Sequence, residues 1–259
     1  MSDGEVRFER RDAIGWLTFD RPDARNAMTF AMYERLGDIC REVAADAALR
    51  ALVLTGAGEA FVAGTDISQF KDFTTEKQAL DYEERMDGVL GSLEGLRIPT
   101  IAAIRGPAVG GGAAIASACD IRIGAPSARF GVPIARTLGN CLSTANILRL
   151  VALISAARVK DLLFTARLLD AQEMLRAGLL SEVTATDEAL LPRAEEVARA
   201  MASFAPLTLR ATKEQVRRIR ERLRPDEGAD LILLCYMSAD FREGVRAFME
   251  KRKPVWRGE

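Results

Sequence analysis

Residues 103–120 read AIRGPAVGGGAAIASACD. The segment begins as an apolar, β-like run, passes through Gly110, Gly111 and Gly112, and continues in small residues to Cys119-Asp120. Glycine loses more backbone freedom on folding than any other residue, so a triplet is costly unless a bare backbone is needed. The small residues that follow read as a helix over 112–118. A helix start presents unpaired N–H groups and a partial positive charge. The pattern has a counterpart upstream. ALVLTGAG (51–58) reads as a short buried strand ending in glycine, and AFVAGTDISQF (60–70) follows it, with Asp66 and Gln69 spaced as a capping box. Two such loops side by side can aim two N–H donors at one oxygen, which is an oxyanion hole. Tight turns and helix–strand packing would use the same glycines. A phosphate loop is a weaker rival, since there is no GxxxxGK[ST], and no GxGxxG follows either strand.

Outward from these loops, IGWLTFD (14–20) alternates like a strand, and RPDARNAM makes a proline-containing turn. Met32, Leu36, Ile39 and Val43 recur at helical spacing within 28–49. A polar helix is expected over 75–97, a buried strand over 99–106 and a strand over 120–125. Helices are then expected over 145–164 and 170–178, with a short strand near LLSEVTA. Further helices fill 187–203, 206–223 and about 226–250. The first two-thirds thus repeats strand, loop and helix, and the last quarter is helical. The natural boundary lies near 200–206, giving a core of residues 1–200 and a helical region of 201–259.

The chain has 259 residues and is 49% hydrophobic, enough for a large core. Lysine and arginine (36) balance aspartate and glutamate (37), so nothing points to nucleic acid or a membrane surface. The arginine cluster at 217–222 reads as a solvated helix face. No apolar run reaches the ~18 residues of a membrane span, and the charged start is not a secretory signal. Four cysteines without CxxC spacing read as reduced thiols of a cytoplasmic protein. The chain has no histidine. That removes Ser-His-Asp and Cys-His chemistry and most zinc and non-haem iron sites, so no metal is expected. Proton transfer is left to Asp, Glu, Lys, Tyr, Cys or water.

Five segments together are recognisable: LTFDRPDARNAM, LTGAGEAFVAGTDIS, PTIAAIRGPAVGGGAAIASACDIRIGAPSARFGVP, ARLLDAQEMLRAGLLSEV and FREGVRAFMEKRKPVWRG. In this order they resemble the enoyl-CoA hydratase/isomerase (crotonase) superfamily, from about residue 6 to the C-terminus. The resemblance implies an α/β fold, a crotonase-like spiral of ββα units with a C-terminal helical trimerisation region. It implies an acyl-CoA thioester substrate, with coenzyme A part of the substrate and no separate cofactor, and a homotrimer or dimer of trimers. It places oxyanion donors at the N–H groups of Thr65 and Gly111, flanked by Gly64 and Gly110. Arg25 and Ala27, with Ala63 and Asp66, would lie near the coenzyme A adenine and phosphates. Lys251, Arg252 and Lys253 match C-terminal basic residues that lie near those phosphates in relatives. Two main-chain amides on a thioester oxygen stabilise an enolate without a charged side chain.

The chain departs from the pattern at two positions. Family hydratases carry two glutamates as acid and base; the matching residues are Ala114 and Ile134, and neither can move a proton. The segment after them has become TLGNCLSTAN (137–146). Cys141 in it lies near where some relatives place a catalytic side chain, so it is a candidate nucleophile or base. Asn140 is a candidate for orienting water or a carbonyl, and Arg136 for an acidic acyl group. Tyr82, Glu83, Glu84 and Asp87 occupy a helix expected to show a solvated face, from which a base would have to swing in. Asp66 also reads as a cap and Asp120 as structural. Ordinary hydration is therefore not expected. Isomerisation, decarboxylation, thioester hydrolysis and catalysis-free acyl-CoA binding stay open.

Overall fold

The computed structural model describes residues 4–223 and 228–259. Its strands are β1 (Glu5–Arg11), β2 (Ile14–Asp20), β3 (Ala51–Gly56), β4 (Thr100–Ile104), β5 (Pro107–Val109), β6 (Ile121–Gly124), β7 (Arg129–Gly131), β8 (Leu169–Asp170) and β9 (Glu182–Val183). Its helices are α1 (Phe30–Ala45), α2 (Glu76–Glu94), α3 (Gly111–Ala118), α4 (Ile134–Thr137), α5 (Thr144–Ile154) and α6 (Ala156–Thr165). They continue as α7 (Ala171–Arg176), α8 (Leu190–Ser203), α9 (Pro206–Glu221), α10 (Ala229–Tyr236) and α11 (Ala239–Met249). A six-stranded sheet runs β1-β2-β3-β4-β6-β9, parallel except for the β1–β2 hairpin. A smaller sheet, β5-β7-β8, forms a second layer.

Isolated bridges show how the second layer extends beyond that small sheet. Met28 pairs with Thr65, Val62 with Ala108, and β5 with β7. Each turn of the chain therefore places one strand in the large sheet, steps across to the second layer, and returns through a helix. Those returns are α1, α2, α3 and α5. This repeated step is the ββα spiral that the family resemblance implies.

The inner strands β2, β3, β4 and β6 are buried on both faces, which is why β3 and β4 read as largely apolar runs. One face packs Leu17, Phe19, Leu52, Leu54, Ala102 and Ile104 against the spiral helices. The other packs Trp16, Val53, Ile101 and Ile123 against Leu190, Ala194, Ala198 and Met201 of α8. Helices α10 and α11 turn back to the spiral, where Tyr236, Phe241 and Val245 meet Phe70 and Ala79.

Three expectations are corrected. The helix over 145–164 is two helices, broken where Ser155 takes φ +73° between α5 and α6. The last helix breaks before Ser238, whose Oγ accepts the Phe241 N–H at 2.9 Å and starts α11. Positions 226 and 227 of that expected helix lie outside the described residues. At the third, Asp66 caps a four-residue 3₁₀ turn, Ile67–Phe70, through Ser68 N–H. Gln69 does not reciprocate, because its Oε1 accepts the Phe30 N–H at 2.6 Å. A turn that short has no room for a box. The β1 strand was missed altogether, since its exposed, charged residues carry little apolar signal.

Candidate active site

The two glycine loops lie against each other. Val62 N–H donates to Pro107 O at 3.0 Å, and Val109 N–H donates to Val62 O at 2.9 Å. The turn at 21–28 is tied to the first loop through Asn26, buried with a positive φ of 59°. Asn26 Oδ1 accepts the Arg21 N–H, and Nδ2 donates to Ala57 O and Ala60 O. Asparagine tolerates a positive φ better than most residues, and its short amide ties the turn to the first loop.

The glycine triplet serves three separate needs. Gly110 takes φ +54°, and a Cβ there would stand 3.7 Å from Gly64 Cα. At Gly111 a Cβ would lie 2.1 Å from Tyr33 Oη, and at Gly112 it would lie 2.0 Å from Val62 O. The bare backbone thus lets α3 begin against the first loop. In the Met28·Thr65 bridge, Met28 N–H donates to Gly64 O and Asp66 N–H to Met28 O. Parallel pairing of this kind turns the Thr65 N–H away from Met28. Gly110 N–H goes to Gly131 O at 2.9 Å, whereas Gly111 is the first residue of α3. Among the described residues, the N–H groups of Thr65 and Gly111 have no acceptor.

Both residues line a cavity of about 290 Å³. Gly64, Gly110, Val109 and Ala63 complete that wall, and Ala114, Ile134, Leu138 and Leu142 form another. Phe70, Tyr82 and Met86 close a third side, with Phe248 of α11 at the rim. Thr65 is fixed by its side chain: its Oγ1 lies 2.9 Å from Tyr33 Oη and 3.4 Å from Tyr82 Oη. Burial pushes the Tyr33 phenol up to about 12 and raises Tyr82 well above its ordinary value. Both hydroxyls therefore stay protonated at neutral pH.

The expected solvated face of α2 holds for Glu84, which is exposed, and is corrected for Tyr82, Glu83 and Asp87. The helix starts on a full capping box, Thr75 with Gln78. Its stripe Ala79, Glu83, Met86, Leu90 and Leu93 is buried at spacings of three and four. Glu83 is a carboxyl in the middle of that stripe, 7% exposed and on the cavity wall. Burial pushes it up to about 7, against the hydrogen bond it accepts at 2.5 Å from the Tyr236 hydroxyl. Asn140 Nδ2 in turn donates to Tyr236 Oη at 3.2 Å, and Asn140 Oδ1 is buried without a hydrogen bond among the described residues. Sequence reasoning had the two ends of this network, Asn140 and Glu83, but not Tyr236, which lies in a helix with no recognised motif. Asp87, a turn further along, accepts from Ser143 Oγ at 2.8 Å and faces away from solvent.

The remaining candidates divide. Cys141 lines the cavity, and its Sγ lies 3.4 Å from Leu231 O, one helical turn from Cys235 on α10. The hydrogen bond with Cys235, reinforced by burial, raises the Cys141 pKa and holds it as a thiol. Asp66 accepts from Ser68 and from Arg21 Nη1 at 2.8 Å. Burial opposes its charge, but these bonds outweigh burial and keep it below the usual carboxylate range. Arg25 is exposed beside the first loop, where its carbonyl accepts the Ala63 N–H, and Ala27 is half-buried in the same turn. Arg136 is exposed on α4, and Lys253 is exposed beyond α11; neither lines the cavity. Asp120 is structural: it accepts from Thr100 N–H and from Lys213 Nζ of α9. The arginine cluster on α9 is largely exposed, but Arg220 pairs with Glu94 of α2. Among the described residues no cluster of cysteine and carboxylate side chains could hold a metal ion. No helix there is long and apolar enough to cross a membrane.

Comparison with known proteins gives one answer throughout. The family profile of Enoyl-CoA hydratase/isomerase matches residues 9–259. The chain is 35% identical to the short-chain-enoyl-CoA hydratase of Clostridium acetobutylicum, covering 98% of this chain and 97% of that one. It is 36% identical to the carnitinyl-CoA dehydratase of Citrobacter koseri, over 98% of each. A crystal structure of an enoyl-CoA hydratase/carnithine racemase from Magnetospirillum magneticum superposes with a TM-score of 0.80 at 33% identity. That match covers 98% of this chain and 96% of the other. By sequence and by fold, this chain belongs to the enoyl-CoA hydratase/isomerase family.

Proposed function

We propose that the protein binds an acyl-CoA thioester with its carbonyl oxygen between the N–H groups of Thr65 and Gly111, and stabilises the enolate formed from it. The observation that carries this reading is the pair of N–H groups without acceptors, one from each glycine loop, on the wall of one apolar cavity. Removing a proton from the carbon beside a thioester places charge on the carbonyl oxygen. Fixed amide donors in a site poor in water stabilise that charge, and losing one such donor costs ~10²–10³ in rate. The tyrosine hydroxyls on Thr65 hold its backbone in place.

The reaction is not ordinary hydration. Ala114 and Ile134 line the cavity at the positions of the two family glutamates and offer no proton donor or acceptor. Each well-placed acid or base contributes ~10²–10⁴. An isomerase, or another lyase or hydrolase that passes through the same enolate, fits the lining better. Coenzyme A enters as part of the substrate, and no further cofactor is needed. The protein acts in the cytoplasm as a trimer or dimer of trimers. A second hollow of about 770 Å³ beneath α9 and the exposed Leu207, Val216, Ile219 and Leu223 support such assembly, because an apolar face of that kind is otherwise left to water.

The test is to add crotonyl-CoA and follow its 2-enoyl thioester absorbance, with binding measured by calorimetry. Binding with hydration slower than that of a family hydratase by ~10² or more supports the reading. Rapid hydration would overturn the reading of Ala114 and Ile134. Binding with no turnover across a panel of acyl-CoAs would mark a carrier instead.

A further inference from the structure

The cavity described above lacks acid or base at the two positions where the family's hydratases are expected to carry them, yet one carboxyl reaches its wall from a different element. Glu83 comes from the middle of α2, not from either glycine loop. It has no ion pair among the described residues, although the chain is rich in arginine. A buried carboxyl without a cation is costly to a fold, and such groups concentrate at functional sites.

Its hydrogen bonds define a direction. Asn140 Nδ2 donates to Tyr236 Oη, so that oxygen's lone pair is taken and the tyrosine proton points to Glu83 Oε1. Oε2 has no hydrogen bond among the described residues. The groups facing Glu83 are Tyr82 and Asp87 from its own helix, Tyr33 from α1, Tyr236 from α10, and Asn140 and Cys141 from the 138–143 loop. None is a cation, so only the Tyr236 hydrogen bond favours the charged form, and burial outweighs it.

We propose that Glu83 is the acid and base of this site, taking a proton from the carbon next to the thioester carbonyl and returning it. The C–H bond breaks and the proton passes to a Glu83 carboxylate oxygen. The C–H electron pair forms the carbon–carbon double bond of the enolate, and the carbonyl π pair moves to the oxygen held by Thr65 and Gly111. Return of the proton to the same carbon restores the thioester; return further along an unsaturated acyl chain moves its double bond. No oxidant or second reactant is needed. Tyr236 is a positioning residue: it acts through Glu83, and Asn140 fixes its rotor. Burial places the Glu83 titration near 7, where a base and its conjugate acid are both populated at neutral pH.

This inference rests on the enolate reading, and one experiment separates their failures. Butanoyl-CoA is incubated in D2O with the wild-type protein and with Glu83→Gln, and deuterium at the α-carbon is followed by mass spectrometry. In parallel, bound 2,4-hexadienoyl-CoA is watched for the red shift of a polarised thioester, and its affinity is measured by calorimetry. We expect Glu83→Gln to keep the red shift and an affinity within about 3-fold, while exchange falls ~10²-fold or more. Wild-type exchange should rise with pH through about 7, and Tyr236→Phe should move that rise to higher pH, since its hydrogen bond favours the carboxylate. Exchange by Glu83→Gln at the wild-type rate overturns the role of Glu83 and leaves the enolate reading standing. So does a wild-type protein that binds and polarises the thioester without exchange. A wild-type protein that neither binds nor shifts the chromophore refutes the enolate reading, and the role of Glu83 falls with it.

Discussion

Glu83→Gln should also change how stability depends on pH, independently of any substrate. Burial moves the carboxyl from 4.5 to about 7. At ~1.4 kcal/mol for each tenfold change in proton affinity, the charged form is disfavoured in the folded chain by about 3 kcal/mol. The sign follows from linkage: between 4.5 and about 7 the folded chain holds this proton and the unfolded chain does not, so stability falls as pH rises through that window. Below it both states are protonated and nothing is lost. Above it the full penalty applies. Glutamine accepts the same Tyr236 hydrogen bond and never ionises. The variant should therefore gain about 3 kcal/mol on the wild type between pH 4.5 and pH 8, the other titrating groups cancelling in the difference. Urea unfolding followed by circular dichroism at a series of pH values, at one fixed protein concentration, measures it. Parallel stability curves for the two proteins would refute both the burial of Glu83 and the role built on it.

Other substitutions test the supporting geometry. Gly112→Ala pushes a Cβ against backbone at Val62 O and should cost ~1–3 kcal/mol or more in a thermal melt, with no second-site relief from a side chain. Gly111→Ala meets instead the tip of Tyr33, so adding Tyr33→Phe should restore part of the lost stability; a double variant no better than the single one would contradict the contact. Thr75→Ala removes one half of the α2 capping box and should cost ~1 kcal/mol in the same assay. Cys40 and Cys119, pushed up to about 12 by burial, should resist iodoacetamide at pH 8 in the native state and react on unfolding.

How much was legible in the sequence depended on whether a signal was local. The glycine loops, β2 to β4 and α1 were readable because burial on both faces leaves unbroken apolar runs, and one-sided burial leaves a helical period. The breaks at Ser155 and Ser238 were not. Each turns on the backbone of a single residue, and the apolar spacing on either side continues as though the helix did. β9, only two residues long, falls in the LLSEVTA segment read as a short strand, but β8, also of two residues, exists only because β7 supplies its hydrogen bonds. The second layer of the spiral was invisible for the same reason: Met28·Thr65 and Val62·Ala108 are single bridges with no run to detect.

The site shows the same division more sharply. Thr65 and Gly111 could be named from motifs because their function belongs to the backbone, and the backbone's path is written in glycines. Glu83 could only be named as one of four polar residues on its helix, because a charged residue on a polar helix reads as solvated until the partner helix is known. Its burial is created by α10, which follows it by some 150 positions and brings Tyr236 and the 138–143 loop against α2. A glutamate at 114 or 134 would have been carried by the spiral itself. A glutamate at 83 depends on the C-terminal helices for its hydrogen bond, its burial and its titration range. On this proposal, α10 and α11 are part of the catalytic apparatus. Tyr236→Phe should accordingly alter the pH profile of exchange while leaving the Thr65–Gly111 loops, and the polarisation they produce, as they were.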